Sequence, residues 1–243
     1  MNVKTPIAVL AVVGLSSAGC GGDDDADART TTPTTAAEAN GAEPAAVLFA
    51  EPFDDDGNGW GIINDPDYGT TEYAAGDYVW DFRGSAGHLL PEVLAAQYDN
   101  GQLDMLDVVV RASATIVSGG GVIGVFCREV PDTDADFQWY EFVARDGFAA
   151  IRKADLEGNL EVLAETEDVR LPLGEPIAFE AGCMDDADGN AELSMNVNGA
   201  EVLSATDDDP LGNGVPGVQA WTFPAHEPME VRWHEFSIHG PQT

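Results

Sequence analysis

The sequence predicts an all-β protein in which residues 47–243 form an antiparallel β-sandwich. Short segments rich in Val, Ile, Phe, Tyr and Trp alternate with clusters of Gly, Asp, Asn and Pro, and several of these segments alternate apolar with polar residues. This two-residue period is typical of half-buried antiparallel strands. The dipeptides Asp146-Gly147 and Asn198-Gly199 each separate two such segments and suit the positive φ angles of tight hairpins. Many short strands joined by such turns indicate a sandwich or a barrel.

Twelve segments of this domain are predicted strands. They cover residues 47–53, 77–82, 107–115, 122–128, 139–145, 148–153, 160–164, 177–183, 191–197, 201–205, 217–221 and 229–238. Residues 89–98 are the one fair candidate for a short helical turn, because patterns with a period of 3.6 residues are otherwise scarce.

The first 19 residues predict a secretory signal peptide. Lys4 precedes an apolar run at 7–15 that is too short to span a bilayer as a helix. The residues Ala18-Gly19-Cys20 resemble the lipobox of bacterial lipoproteins, although Ser17 stands where that motif more often has Leu. The resemblance implies that Cys20 is acylated, becomes the new N-terminus and anchors an exported protein to the cell membrane. The alternative is an ordinary cleavable signal followed by an incidental cysteine.

Residues 20–46 form an acidic segment rich in Thr and Pro. The segment lacks aromatic residues and nearly lacks large aliphatic ones, so it cannot bury enough apolar surface to order itself. We therefore expect a disordered tether between the lipid anchor and the folded domain.

The charge balance excludes some partners. Asp and Glu number 44 against 10 Lys and Arg, which gives a formal net charge of −34. Binding to nucleic acid requires clustered Lys and Arg, and so does peripheral binding to anionic lipid. We therefore expect no nucleic acid partner, membrane contact through the lipid anchor only, and a monomer.

The order of several motifs resembles the concanavalin A-like lectin and glucanase jelly roll. These motifs are Phe53 and Trp60 around an acidic loop, Gly124-Val125-Phe126-Cys127-Arg128, Trp139-Tyr140-Glu141-Phe142, Val197-Asn198-Gly199, Gly214-Val215-Pro216-Gly217-Val218 and a closing segment at 231–238. In that closing segment His234 and Glu235 replace the acidic pair usual in such domains. The resemblance implies a lectin-like, non-catalytic module that binds a carbohydrate or a cell-wall polymer.

Two other functions stay open. Jelly-roll glycosidases carry paired carboxylates, commonly as E-x-D-x-E on one strand, and this sequence has no such motif. We therefore expect no enzyme activity, with a glycoside hydrolase-like enzyme as one alternative. The other alternative is a structural or protein-interaction domain without affinity for sugar. The sequence has no motif for a nucleophilic Ser or Cys near any of its four histidines, which are His88, His226, His234 and His239, so it does not predict a nucleophilic triad.

Four residues are the predicted ligand contacts: Trp139, Tyr140, Trp221 and Arg128. Sugars pack their C–H faces on aromatic rings, and Arg hydrogen-bonds their hydroxyl groups. The alternative is that these side chains belong to the core, which is what we expect of Trp60 and Trp233. Since Tyr140 and Phe142 share one face of a strand and Trp139 and Glu141 share the other, not all can line one groove.

The loop Asp54-Asp55-Asp56-Gly57-Asn58-Gly59 resembles the start of a calcium loop. The predicted ligands are Asp54, Asp56 and Asn58, with Glu235 of the last segment as an additional one, since related sugar-binding domains often hold a structural calcium between these regions. The alternative is a solvated acidic turn.

Acylation of Cys20 would leave Cys127 and Cys183, an even pair in an oxidising compartment. Both lie in predicted strands, so we expect a disulfide between them. The alternative is two buried free thiols.

Overall fold

The computed structural model describes residues 45–65, 69–83, 88–89, 105–131, 137–155, 159–222 and 228–241. These residues belong to one compact unit, Ala42–Thr243. The predicted signal peptide, Cys20 and most of the tether lie outside the described residues, as does the predicted helical turn beyond Leu89. In the described part of the chain, no helix is long and apolar enough to cross a membrane.

The described residues form fifteen strands. They are β1 (Val47–Glu51), β2 (Asn64–Asp65), β3 (Gly69–Ala74), β4 (Asp77–Phe82), β5 (His88–Leu89), β6 (Val108–Ser118), β7 (Val122–Pro131), β8 (Phe137–Arg145), β9 (Phe148–Ala154), β10 (Leu160–Thr166), β11 (Pro176–Asp185), β12 (Ala191–Val197), β13 (Ala200–Asp207), β14 (Val215–Trp221) and β15 (Met229–His239). All twelve predicted strands are confirmed, with ends that differ by a few residues.

The strands pair into two antiparallel sheets, and the predicted β-sandwich is confirmed. Sheet A has nine strands in the order β13-β12-β11-β6-β15-β4-β3-β2, with β1 paired to β15. Sheet B has six strands in the order β10-β9-β8-β7-β14-β5. The many non-consecutive neighbours show that strands from distant parts of the chain are interleaved, which is typical of jelly-roll folds.

One apolar core fills the space between the sheets. At one end it is aromatic: the ring of Phe53 packs edge-on against Trp60 with centroids 4.8 Å apart, and Trp80 packs against Trp233 at 5.7 Å. Trp60 and Trp233 are 2% and 0% exposed, so their predicted place in the core is confirmed. Aromatic pairs of this kind contribute about 0.5–1.5 kcal/mol each beyond the area they bury.

Two predicted hairpins are confirmed at their turn residues. Asn198 and Gly199 have φ angles of 52° and 78°, and they join β12 to β13. Gly147 has a φ of 75°, and the turn that contains it places Arg145 opposite Phe148. A two-residue turn fixes the register of the strands on both sides of it, so this turn sets which side chains of β8 and β9 face each other.

The predicted disulfide between Cys127 and Cys183 is confirmed, with Cα atoms 6.7 Å apart. Cys127 lies on β7 of sheet B and Cys183 on β11 of sheet A. The two strands are therefore not neighbours in one sheet, and the bond joins the sheets across the core. Both cysteines are fully buried.

Candidate ligand-binding face

The outer face of sheet B, which points away from the core, carries a compact group of large side chains. Along β8, Tyr140, Phe142 and Ala144 belong to the central core. Val143, between them, belongs to a second apolar cluster with Val122 and Ala150, on which Phe148 and Trp221 also pack. Because alternate residues of a strand point to opposite faces, Trp139 and Glu141 share the outer face with Val143.

A buried ion pair lies at the centre of this face. Glu141 on β8 is directly opposite Arg152 on β9, and Arg152 Nε contacts Glu141 Oε1. The Glu141 side chain is 1% exposed and the Arg152 side chain 17% exposed. A charge pair withdrawn from water to this degree costs desolvation free energy that its mutual attraction only partly offsets.

Both predicted tryptophans of this face contact the ion pair. Trp139 Nε1 donates a hydrogen bond of 3.4 Å to Glu141 Oε2. The Arg152 guanidinium lies over the ring of Trp221, with its Cζ atom 5.2 Å from the ring centroid. Both indoles remain partly exposed. The ion pair therefore orients two aromatic surfaces, one on β8 and one on β14.

The neighbouring strands β7 and β14 continue the outer face of sheet B. A Cβ atom at Gly217 would lie 2.3 Å from Phe126 Cζ, so the absence of a side chain there allows the Phe126 ring to lie over β14. Gln219 is fully buried and donates a long hydrogen bond of 3.4 Å to the carbonyl of Val125. Its Oε1 atom has no hydrogen-bond partner among the described residues.

The ionisation of Glu141 reflects its burial. Desolvation raises the pKa of this carboxyl group, and the Arg152 charge together with hydrogen bonds from Trp139, Arg152 and Gln219 opposes the rise without cancelling it. A raised pKa is what a general acid needs. A retaining glycosidase, however, places a second carboxyl group about 5–5.5 Å from the first. Within the described ranges, no second carboxylate contacts Glu141.

Tyr140 was predicted as a ligand contact, and the structure corrects this. Its side chain points into the core and is 0% exposed. Its hydroxyl group donates a hydrogen bond of 2.5 Å to Asp207 Oδ2 and accepts one of 3.0 Å from the backbone N–H of Leu211. The strand alternation explains this, because Tyr140 has the same parity as the core residue Phe142.

Arg128 was also predicted as a ligand contact, and the structure shows instead that it is buried. Its side chain is 0% exposed, and it donates to the carbonyls of Leu106 and Leu211 at 3.1 and 2.9 Å and to Asp185 Oδ1 at 2.8 Å. Arg128 has a φ of 55° and lies in a bulge of β7, where the pairing with β8 shifts. A bulge changes the direction in which a side chain points, so simple alternation fails there.

The residues predicted to bind calcium are not brought together. In the loop after Phe53, Asp55 Oδ1 accepts a hydrogen bond of 2.7 Å from the Gly57 N–H, and Asp54 and Asp56 are exposed. Glu235 instead lines a depression on sheet A beside Arg111 and Glu180. No three His, Cys, Asp or Glu side chains of the described chain converge as a metal site requires. The described geometry is that of an acidic turn, and calcium binding stays a prediction.

A second polar group, which sequence reasoning missed, lies on the outer face of sheet A. His234 Nε2 is 2.7 Å from Thr115 Oγ1, and His234 Nδ1 is 2.8 Å from Asp77 Oδ1. The order hydroxyl, imidazole, carboxylate matches a nucleophilic triad. The three residues lie on the adjacent strands β6, β15 and β4, and His234 lies where the pairing of β15 with β6 shifts register, between Trp233 and Glu235. Because His234 contacts both Thr115 and Asp77 across these strands, we interpret the group as a tie between strands.

Comparison with known proteins identifies the fold. No protein-family model matches the sequence, and no curated protein matches it. Among solved structures, a protein of unknown function with a galectin-like fold from Bacillus subtilis is 14% identical, covers 82% of this chain and 97% of its own, and has a TM-score of 0.57. The endo-β-1,3(4)-glucanase SCLam of family GH16 is 13% identical over 83% of this chain and 95% of its own, with a TM-score of 0.54. The β-glucanase of Bacillus licheniformis is 10% identical over 82% of this chain and 100% of its own, with a TM-score of 0.52. The domain has the concanavalin A-like jelly-roll fold that the motif order predicted.

Proposed function

We propose that this protein is a lectin-like module that binds a glycan or a cell-wall polymer on the outer face of sheet B, without catalysis. The observation that carries the proposal is the pair of partly exposed indoles, Trp139 and Trp221, both oriented by the buried Glu141–Arg152 pair. Proteins described as glucanases share this fold. Fold likeness alone does not assign a function, so the site has to carry the argument.

The geometry suits sugar binding because the rings are held in place before a ligand arrives. The Arg152 guanidinium contacts the partly exposed Trp221 ring, and Glu141 accepts a hydrogen bond from Trp139. Side chains that are ordered in the free protein lose less conformational entropy on binding, which raises affinity. Each indole offers a rigid apolar surface and a polar N–H, the combination found at binding hot spots.

A glycan array tests this proposal, with Trp221→Ala and Trp139→Ala as the site variants. Ile62→Ala is the control, since Ile62 is 62% exposed and lies away from this face. We expect saturable binding of the wild type, a loss of about tenfold or more in each Trp variant, equivalent to about 1.4 kcal/mol, and no loss in the control. A folded wild type that binds nothing on the array would refute the proposal and favour a structural or protein-interaction domain.

A hydrolase is the second candidate, because burial raises the pKa of Glu141 in a fold shared with glucanases. Release of reducing ends from β-glucan oligosaccharides tests it directly. Our proposal expects no turnover by the wild type. Turnover that Glu141→Gln abolishes would replace binding by catalysis, with Glu141 as the acid.

We also propose that the domain is exported and lipid-anchored through Cys20. The Cys127–Cys183 disulfide supports export, because such bonds persist mainly in oxidising compartments. Fractionation of cells that express the full chain tests the anchor. We expect the wild type in the membrane fraction and Cys20→Ala in the soluble fraction. If both proteins fractionate alike, Cys20 is not the anchor.

A further inference from the structure

We infer that the outer face of sheet B continues into an anion-binding subsite at Arg145, so that the preferred glycan carries oxyanion groups such as carboxylates. The inference rests on the proposed function and names its ligand class. It comes from Arg145, which forms no ion pair among the described residues, and from the cavity beside it.

Arg145 is an exception in an acidic protein. Seven other basic residues in the described chain each lie within ion-pair distance of a carboxylate: Arg83, Arg111, Arg128, Arg152, Lys153, Arg170 and Arg232. Arg145 is exposed, and its guanidinium lies over the ring of Phe148, with 5.3 Å from Cζ to the ring centroid. Since Arg145 forms no ion pair with a carboxylate of the described residues, its exposed guanidinium keeps its charge available for an external anion.

The position of Arg145 joins it to the indole face. The Phe148 ring on which Arg145 rests packs on the same apolar cluster as Trp221. Gly121 lies next to the backbone of Trp221, since a Cβ atom at Gly121 would lie 2.4 Å from the Trp221 carbonyl oxygen. A chain of sugars that stacks on Trp221 can therefore extend toward Arg145 along one continuous surface.

A cavity of about 480 Å³ lies beside Arg145. Its walls include Arg170, the carboxylate of Asp146, the glycines at 119–121, and the apolar residues Leu171 and Leu173. Gly119 has a φ of 79°, and a Cβ atom there would lie 2.0 Å from the Pro228 carbonyl oxygen, so the loop requires glycine. The loop's lack of side chains keeps one wall open, and the cavity falls in the size range of small-molecule sites.

Arg170 adds a second, weakly held cation. Its side chain is 85% exposed and lies 3.7 Å from Asp146, a long contact between two exposed groups. Such surface pairs contribute about 0–1 kcal/mol, so Arg170 can exchange Asp146 for a ligand at little cost. Two guanidinium groups beside an apolar wall fit a sugar ring that bears an oxyanion, because guanidinium pairs with carboxylates and sulfates through two parallel hydrogen bonds.

The net charge of −34 does not forbid an anionic ligand. At physiological salt, the interaction between exposed charges is screened beyond about 8 Å. The carboxylates on the far side of the sandwich then contribute little at Arg145. An uncharged glycan would leave this guanidinium without a partner in the complex, whereas an acidic one would pair with it.

The test measures binding of the full chain at 0.15 M salt to four immobilised polysaccharides: polygalacturonate, its methyl-esterified form, dextran sulfate and an uncharged β-glucan. The variant is Arg145→Ala. The control is Arg83→Ala, which removes the same charge from an exposed arginine on sheet A. We expect an acidic polymer to bind at least tenfold more tightly than the uncharged ones, Arg145→Ala to abolish the difference, and Arg83→Ala to keep it. Preference for polygalacturonate identifies the anion as a carboxylate, and preference for dextran sulfate identifies a sulfate.

The outcomes separate this inference from the proposed function. Binding of the uncharged polymers as tightly as the acidic ones, or acidic binding that Arg145→Ala leaves unchanged, overturns the subsite while the glycan-binding proposal stands. Failure of all four polymers to bind, together with silence on the glycan array, overturns both.

Discussion

Removal of the disulfide between the sheets has an effect that can be worked out from the chain. Cys127 and Cys183 are separated by 56 residues. A cross-link over a loop of this length restricts the unfolded chain and stabilises the fold by about 4 kcal/mol at 25 °C in the chain-entropy relation. Replacing both cysteines by alanine also removes two buried sulfur atoms, at a cost of about 1 kcal/mol each. The double variant should therefore lose about 4–6 kcal/mol, a large share of the roughly 5–15 kcal/mol of a typical domain.

Urea unfolding followed by circular dichroism measures this loss. Reduced wild type is the matched control, because it lacks the cross-link and keeps both sulfur atoms. We expect reduction alone to remove about 4 kcal/mol and the alanine pair to remove slightly more. A loss below about 1 kcal/mol in both samples would refute the reasoning, since the bond would then not restrict the unfolded chain.

Three further predictions concern the buried charges and the acidic loop. Arg128→Met should lower the free energy of unfolding by about 3–5 kcal/mol, because it leaves the Asp185 carboxylate, the buried Leu211 carbonyl and the partly buried Leu106 carbonyl without this donor. Urea unfolding that matches wild type would contradict this. Burial raises the pKa of Glu141 above its ordinary 4.5. Between pH 4.5 and the pKa of the folded state, the folded protein therefore binds more protons at this group than the unfolded chain does. The free energy of unfolding consequently falls as the pH rises through this range. The Glu141→Gln variant should lack this fall. Parallel profiles of unfolding free energy against pH for wild type and variant would refute the prediction. A calcium chelator tests the predicted calcium site: if the acidic turn binds calcium, chelation should lower Tm by several degrees, because a ligand of the native state stabilises it, and an unchanged Tm would remove the site.

The fold could be predicted from the sequence because most strands carry a strong two-residue period. The strands that were missed lack that signal. β3 is largely polar, and the hairpin from β3 to β4 turns at Ala75 and Gly76, with φ angles of 58° and 85°. Alanine rarely adopts a positive φ, so the dipeptide gave no turn signal. β2 and β5 have two residues each, too few to show any period.

The site was predictable only in part. Trp139 and Trp221 were predicted as ligand contacts from residue type and strand position, and that role stays a prediction; the structure shows that both are partly exposed. The sequence also contains enough information to predict the partner of Glu141. The two-residue turn at Asp146-Gly147 sets Arg145 opposite Phe148, and the same register places Glu141 opposite Arg152. The bulge at Arg128 was not foreseeable, because a positive φ at arginine has no sequence signal. Nor was it foreseeable that Arg145 forms no ion pair within the described part of the chain, because that depends on where the folded strands place each carboxylate.

Arg128 and Arg152 differ in how completely the protein satisfies their guanidinium groups, and the difference supports the proposed site on sheet B. Arg128 donates to two carbonyls and a carboxylate at 2.8–3.1 Å, so its guanidinium is well satisfied. The Nη2 atom of Arg152 is buried without a hydrogen-bond partner among the described residues. The desolvation that raises the pKa of Glu141 shows that its burial is not fully compensated. Replacing such a pair by apolar residues is often neutral or stabilising, so stability alone does not explain it. The proposed function supplies a reason, since the pair contacts both Trp139 and Trp221, and apolar residues in its place would remove these polar contacts.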